Sequence, residues 1–168
     1  AMCASYSGKC VISNYTAGRD SNRGGCVQSC RHNYTINETQ THIMNAQDLL
    51  GITTIPEMIK AGISSVKIEG RMKSLMYAIN AISTYRKAID SYYESLINHA
   101  NAPNPTKWIT SLNSVSNRTF STGGLEERVQ SIYYGFSGYH KQVDLVGIIK
   151  KSSQKNGLIV QVKTPFKL

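Results

Sequence analysis

The sequence predicts an α/β fold with a β-rich C-terminal end, and three features carry that prediction. Residues 54–98 read as helix, glycine turn, short strand and long helix, the repeat unit of an α/β layer. Residues 143–149 and 158–162 are β-favouring runs joined by KKSSQKNG, whose Asn156-Gly157 pair is a strong turn signal. All four cysteines of the 168-residue chain fall within residues 3–30. That clustering needs a chemical reason.

The unit at 54–98 matches the last repeats of an α/β barrel. Thr54-Ile55-Pro56-Glu57 has the form of a capping box with Pro in the first turn. Its helix runs through Met58 and Ile59 and ends near Gly62. Residues 65–68 alternate weakly and read as a buried strand. Glu69, Arg71 and Lys73 follow directly on the C-terminal end of that strand, where barrel chemistry sits. They can touch substrate or its phosphates; equally, a Glu69–Arg71 or Glu69–Lys73 pairing can fix the loop. Residues 74–98 are the clearest helix. Leu75, Ile79, Ile82, Tyr85, Ile89, Tyr92 and Leu96 recur every three or four residues, a stripe taken as core packing, and Ser74 is the expected N-cap.

On either side the signals are weaker. Residues 2–13 read as a strand turning at Gly8, residues 14–25 as a loop, and residues 31–41 as a short hairpin or extended lead-in. Residues 98–107, NHANAPNPTK, cannot continue a helix and mark a boundary. Three parts follow: 1–100, an α/β part with the cysteine site; 101–142, an irregular basic linker; and 143–168, a β-rich end. Within the linker, Tyr133, Tyr134, Phe136 and Tyr139 precede Lys141. Aromatics beside basic residues can stack on exposed bases, or can pack beneath a loop.

Net charge is +9 and the pI about 9.5, which favours RNA, acidic lipids or acidic small molecules as partners. Residues 101–168 hold nine Lys or Arg against three Asp or Glu, so the C-terminal part carries most of the bias. Apolar residues at 40% exclude a disordered chain, and no apolar run approaches the ~20 residues of a membrane span. The expected location is the cytoplasm. No HExxH or GxSxG hydrolase pattern is present.

The cysteines are spaced C-x6-C-x15-C-x3-C, as Cys3, Cys10, Cys26 and Cys30. Four thiolates at one point can hold zinc or an iron–sulfur cluster. The spacing has neither the CxxC knuckles of zinc sites nor a ferredoxin pattern, so it suggests one soft-metal centre without naming the metal. Two disulfides, in any of three connectivities, and four reduced thiols are the other readings. Arg19, Arg23 and Arg31 lie in or beside the same segment. They can neutralise a thiolate centre or grip a carboxylate or phosphate, or they can be solvated surface residues. His32 and His42 are taken as ordinary residues.

Three stretches resemble peptidase family U32, the collagenase-like family. The first is Ala1-Met2-Cys3, four residues, then Gly8-Lys9-Cys10-Val11-Ile12-Ser13. The second runs from Arg19-Asp20-Ser21-Asn22-Arg23-Gly24-Gly25-Cys26 to Cys30-Arg31. The third is Ile55-Pro56-Glu57-Met58 with Val66-Lys67-Ile68-Glu69-Gly70-Arg71-Met72-Lys73-Ser74. A looser match is Asn117-Arg118-Thr119-Phe120-Ser121-Thr122-Gly123, where Thr119 replaces a family glycine. The resemblance implies the C-terminal part of a TIM-like α/β barrel followed by the start of a small β-barrel domain. It implies that the chain is part of a longer protein, since a family Glu-x-Phe-x-x-Gly run and a long N-terminal part precede the position of Ala1.

The resemblance is nearest to the prephenate-dependent branch that hydroxylates the tRNA wobble uridine. It implies a [4Fe-4S] cluster on Cys3, Cys10, Cys26 and Cys30, with zinc as the alternative. It implies tRNA or other RNA as substrate and a small carboxylate such as prephenate as co-substrate; Arg19, Arg23 and Arg31 are expected to bind that carboxylate or RNA phosphate, and Glu69, Arg71 and Lys73 to touch substrate. A protein partner of the same family, a peptidase activity, or a zinc-stabilised binding module are the further expectations.

Overall fold

The computed structural model describes residues 3, 9–70, 73–126, 139–153 and 157–165, and the statements below concern these residues. The long helix α3, Leu75–Ile97, is the spine. Ser74 caps it, accepting a hydrogen bond from the Tyr77 amide at 3.2 Å. The helix breaks at 98–105. The chain then returns as α4, Thr106–Ser114, whose entry is fixed by Asn104 accepting from the Thr106 amide at 2.9 Å. Residues 101–142, expected to be irregular, therefore include a helix. Trp108, Leu112 and Val115 pack on Tyr77, Ala81, Ala88 and Ile52 to form the core.

The face of α3 that enters this core differs from the expected stripe. Its buried residues are Tyr77, Ala81, Thr84, Ala88, Tyr92 and Ser95. Of the predicted stripe, Tyr92 is buried, but Leu75, Ile79, Ile82 and Leu96 are exposed, Leu75 by 60%. The cause is the bulk that α4 brings. With Trp108 and Leu112 at the contact, α3 must present small residues for the helices to approach. Asn80 Nδ2 also donates to the Ser111 carbonyl at 3.0 Å on this side, so part of the contact is polar.

Three two-stranded sheets decorate the helices. β1, Tyr34–Ile36, pairs antiparallel with β2, Thr39–Thr41, as the expected hairpin; Asn37 and Glu38 turn it with φ of 46° and 66°. β3, Asp48–Leu49, pairs parallel with β4, Phe120–Ser121, in the register Asp48 to Phe120. β5, Gly147–Ser153, and β6, Gly157–Val162, form the antiparallel hairpin expected at the C-terminal end, with an irregularity between Ile149 and Lys151. The architecture is thus mixed α/β, without a closed barrel among the described residues.

Other expectations change in detail. α2, Ile55–Lys60, starts at Thr54 with Pro56 in its first turn, but the capping box is not made: the Thr54 hydroxyl donates to the Gly51 carbonyl at 2.9 Å. Residues 65–68 are exposed and not in a ladder, because no described strand lies beside them. Part of the expected strand and loop at 2–25 is helical: α1 spans Ile12–Ala17, and a 3-10 turn spans Ser21–Arg23. No helix among the described residues is long and apolar enough to cross a membrane.

Candidate functional site

The cysteine segment is held in place by its small polar residues. Buried Ser13 accepts a hydrogen bond from the Val27 amide at 3.2 Å, and buried Ser29 bonds Thr16 at 2.7 Å. Ser21 donates to the Cys10 carbonyl at 2.8 Å. Gly25 follows a tight turn in which its amide donates to the Asp20 carbonyl at 2.9 Å. A Cβ there would lie 2.7 Å from that same oxygen, so the turn requires glycine. These bonds tie the strand of chain bearing Cys26 and Cys30 to α1, next to Cys10.

None of the four cysteines is joined in a disulfide. Cys3, Cys26 and Cys30 line one cleft of about 580 Å³. Cys10 is not on its lining. Burial pushes the Cys30 thiol up; Arg31 opposes this, and Cys3, Cys26 and Cys10 push it further up. The Cys10 thiol is held below its usual value, first by the Ile12 amide and then by the Ser21 hydroxyl. The Gln28 amide donates to Cys26 Sγ at 3.4 Å, from a residue whose φ is 58°. Among the described residues no three His, Cys, Asp or Glu side chains stand in a closed metal-holding arrangement. The donor types suit a soft metal nonetheless: three thiols line one cleft, and the Gln28 amide donates toward the Cys26 sulfur.

The cleft is also lined by the cations Arg31, Lys67, Lys73 and Arg118, and behind it Asp48 is buried, 1% exposed. Lys73 Nζ donates to Asp48 Oδ2 at 2.9 Å, and Arg118 donates from Nε to Oδ1 at 3.1 Å, from Nη2 to Oδ1, and from its backbone amide to Oδ2 at 3.1 Å. Burial pushes the Asp48 carboxyl up, but Arg118 and Lys73 outweigh it and hold it below the usual carboxylate range. Burial lowers Lys73, against which Asp48 works; Arg118 and Arg31 lower it further. Burial likewise lowers Arg31, with Arg118 adding to the effect. Arg31 is aimed by hydrogen bonds from Nη1 to Asn45 Oδ1 and the Ala46 carbonyl, both 2.9 Å. The Lys73 ammonium sits 4.4 Å from the Tyr139 ring centroid and 5.0 Å from that of Tyr77. Gly70 permits this, since a Cβ there would lie 2.9 Å from the Tyr77 ring.

Several sequence-predicted residues therefore meet. Cys3, Cys26, Cys30, Arg31, Glu69 and Lys73 share the cleft. Arg19 and Arg23 do not line it: both are exposed, and Arg23 pairs with Asp20 at 3.3 Å. Glu69 pairs with Lys67 at 2.9 Å, and Lys73 with Asp48, so the expected Glu69–Lys73 lock is not formed. Arg71, Tyr133, Tyr134 and Phe136 lie outside the described residues. Asp48 and Arg118 were not among the predicted site residues, whereas Tyr139 was named only as a stacking or packing aromatic. Arg118 stood inside the Asn117-Arg118-Thr119 run, which was the available signal. A larger groove of about 700 Å³ between α3 and α4 mixes both signs of charge, with Lys87, Asp90, Glu94 and Lys107, and holds no thiol.

An α/β protein in which three cysteines share a cleft with buried cations is the class that fold and site define. The chain belongs to peptidase family U32, whose match covers residues 1–133. A tRNA hydroxylation protein P1 of Bacillus subtilis is 36% identical over 189 residues, covering 99% of this chain and 42% of that protein. A 23S rRNA 5-hydroxycytidine synthase of Escherichia coli is 38% identical over 101 residues, 56% of this chain and 16% of that protein. A collagenase of Porphyromonas gingivalis is 32% identical over 130 residues, 73% of this chain and 35% of that protein. The chain thus spans less than half the length of each of these relatives. No solved structure matches it significantly.

Proposed function

We propose that this chain serves an RNA hydroxylation enzyme of the iron–sulfur type, acting at position 5 of a tRNA wobble uridine with a small carboxylate such as prephenate as co-substrate. The observation that carries the reading is the meeting of three cysteines with Arg31, Lys73 and Arg118 in one cleft. The names of the tRNA and rRNA hydroxylation relatives support the substrate class. In this reading Cys3, Cys10, Cys26 and Cys30 hold a [4Fe-4S] cluster. When bound, such a cluster supplies one-electron redox chemistry. The chain's own residues do the rest. The Gln28 amide donates to the Cys26 sulfur, the Ile12 amide favours the Cys10 thiolate, and Arg31 and Lys73 bind and orient the anionic co-substrate. The basic residues of 101–168 draw in the RNA backbone.

The collagenase-named relative supports a second reading, peptide hydrolysis. One comparison separates them. In a deletion strain, the hydroxylated wobble nucleoside, measured by mass spectrometry of digested tRNA, is expected to disappear. It is expected to return with the wild-type protein and not with Cys26→Ser. An unchanged nucleoside profile, with gelatin or collagen cleaved by the purified protein, overturns the RNA reading in favour of the peptidase.

A further inference from the structure

The cations of the cleft outnumber its carboxylates. Among the described residues Arg31, Lys67, Lys73 and Arg118 line it, against Glu69 on the lining and Asp48 behind. Lys67 and Glu69 pair on the exposed rim. Deeper in, Lys73 and Arg118 share the one carboxylate of Asp48, with side chains only 7% and 4% exposed. Arg31 stands close enough that Arg118 adds to the lowering of its pKa, and both arginines add to that of Lys73. Buried charge in excess of its partners is costly, and a fold that keeps it gains most when an anion completes the set.

The geometry says which donor is available. Asp48 takes Nε and Nη2 of Arg118. Among the described residues Nη1 of Arg118 takes no part in these bonds, and Arg118 lines the cleft. The half-exposed Tyr139 ring, stacked over Lys73, makes a flat apolar wall beside the same cations. A fork-shaped guanidinium, an ammonium and an aromatic wall in about 580 Å³ suit a small oxyanion with a planar body.

We propose that Arg118, together with Lys73, binds an oxyanion in this cleft, and that Asp48 is the positioning residue that holds both cations toward it. This deepens the reading of the cleft as a site, on which it rests, and is independent of what the thiols hold. Carboxylate and phosphate share the required chemistry. Asp48 touches no ligand itself; its carboxylate fixes the guanidinium plane and the ammonium.

The test is a titration of the full chain, as purified, with malonate and separately with inorganic phosphate, at ionic strength held constant with chloride. The readouts are thermal midpoint and the Arg Nε resonances. One of the two anions is expected to raise the midpoint saturably and to shift the Arg118 Nε signal. Response to malonate alone assigns a carboxylate ligand; response to phosphate alone assigns a phosphate. The paired variant Asp48→Asn with Arg118→Gln, which removes both charges together, is expected to weaken binding at least tenfold. If that variant does not fold, the wild-type Arg118 Nε shift decides alone. No saturable response to either anion, an unmoved Arg118 Nε signal, or equal binding by the folded paired variant overturns the proposal. Direct binding is read here, so its failure is distinct from a negative nucleoside result.

Discussion

Arg118 and Arg23 are each paired with an aspartate, and they sit at opposite extremes. The Arg118–Asp48 pair is 4% and 2% exposed and is cross-braced by Lys73 and a backbone amide. The Arg23–Asp20 pair is 89% and 44% exposed, three residues apart in one loop. An exposed pair gains little over its hydration, whereas a buried one must offset the loss of water from every charge it contains. A fold that keeps Lys73 and Arg118 buried on the one carboxylate of Asp48 therefore accepts a cost that packing alone would avoid. That excess, rather than the number of arginines near the cysteines, marks the chemical face of the molecule.

The comparison breaks most directly at Asp48. Asp48→Ala leaves Lys73 and Arg118 buried without their carboxylate, and is expected to lower stability by about 3–5 kcal/mol in urea unfolding. A loss under about 1 kcal/mol contradicts a central role for the pair.

Acid sharpens the same point. Asp48 has a folded pKa below its unfolded value, so its contribution is present above about pH 4 and is lost as pH falls through the folded value. Stability is expected to drop below about pH 4 in the wild type. In Asp48→Asn that part of the drop is expected to be missing. An identical acid limb in both proteins argues against it.

Gly25→Ala is the next step down. It drives a methyl to within 2.7 Å of the Asp20 carbonyl, so the turn bearing Cys26 must shift. The expected loss is about 1–3 kcal/mol, with increased reactivity of Cys26 toward an alkylating reagent. Unchanged reactivity means the turn does not set the thiol's position. Smallest of all, Arg23→Gln is expected to change stability by less than about 0.5 kcal/mol and to leave anion binding in the cleft intact. A tenfold loss of binding erases the distinction between the two arginines.

How much of this could be read from the chain depends on the range of the interaction. The hairpin at 34–41 and the limits of α3 follow from local pattern and capping, and both are found. The orientation of α3 does not follow, because Leu75, Ile79 and Ile82 look like core until Trp108 is known to pack on Ala81 and Ala88. Cysteine clustering pointed to one region, and Cys3, Cys26 and Cys30 do share a cleft. Asp48 and Arg118 lie seventy positions apart in sequence, and no local signal pairs them. Thr119 shows the same limit: it takes φ of 62°, the conformation suited to the glycine of the resembling run, and holds it with a 2.8 Å hydrogen bond from Gln47.

The measurement that bears most directly on the account is iron and acid-labile sulfide content of the protein purified without oxygen, alongside single serine replacements of Cys3, Cys10, Cys26 and Cys30. The account predicts about four irons and four sulfides per chain in the wild type, lost in each replacement. One zinc without sulfide, or no metal at all, contradicts it.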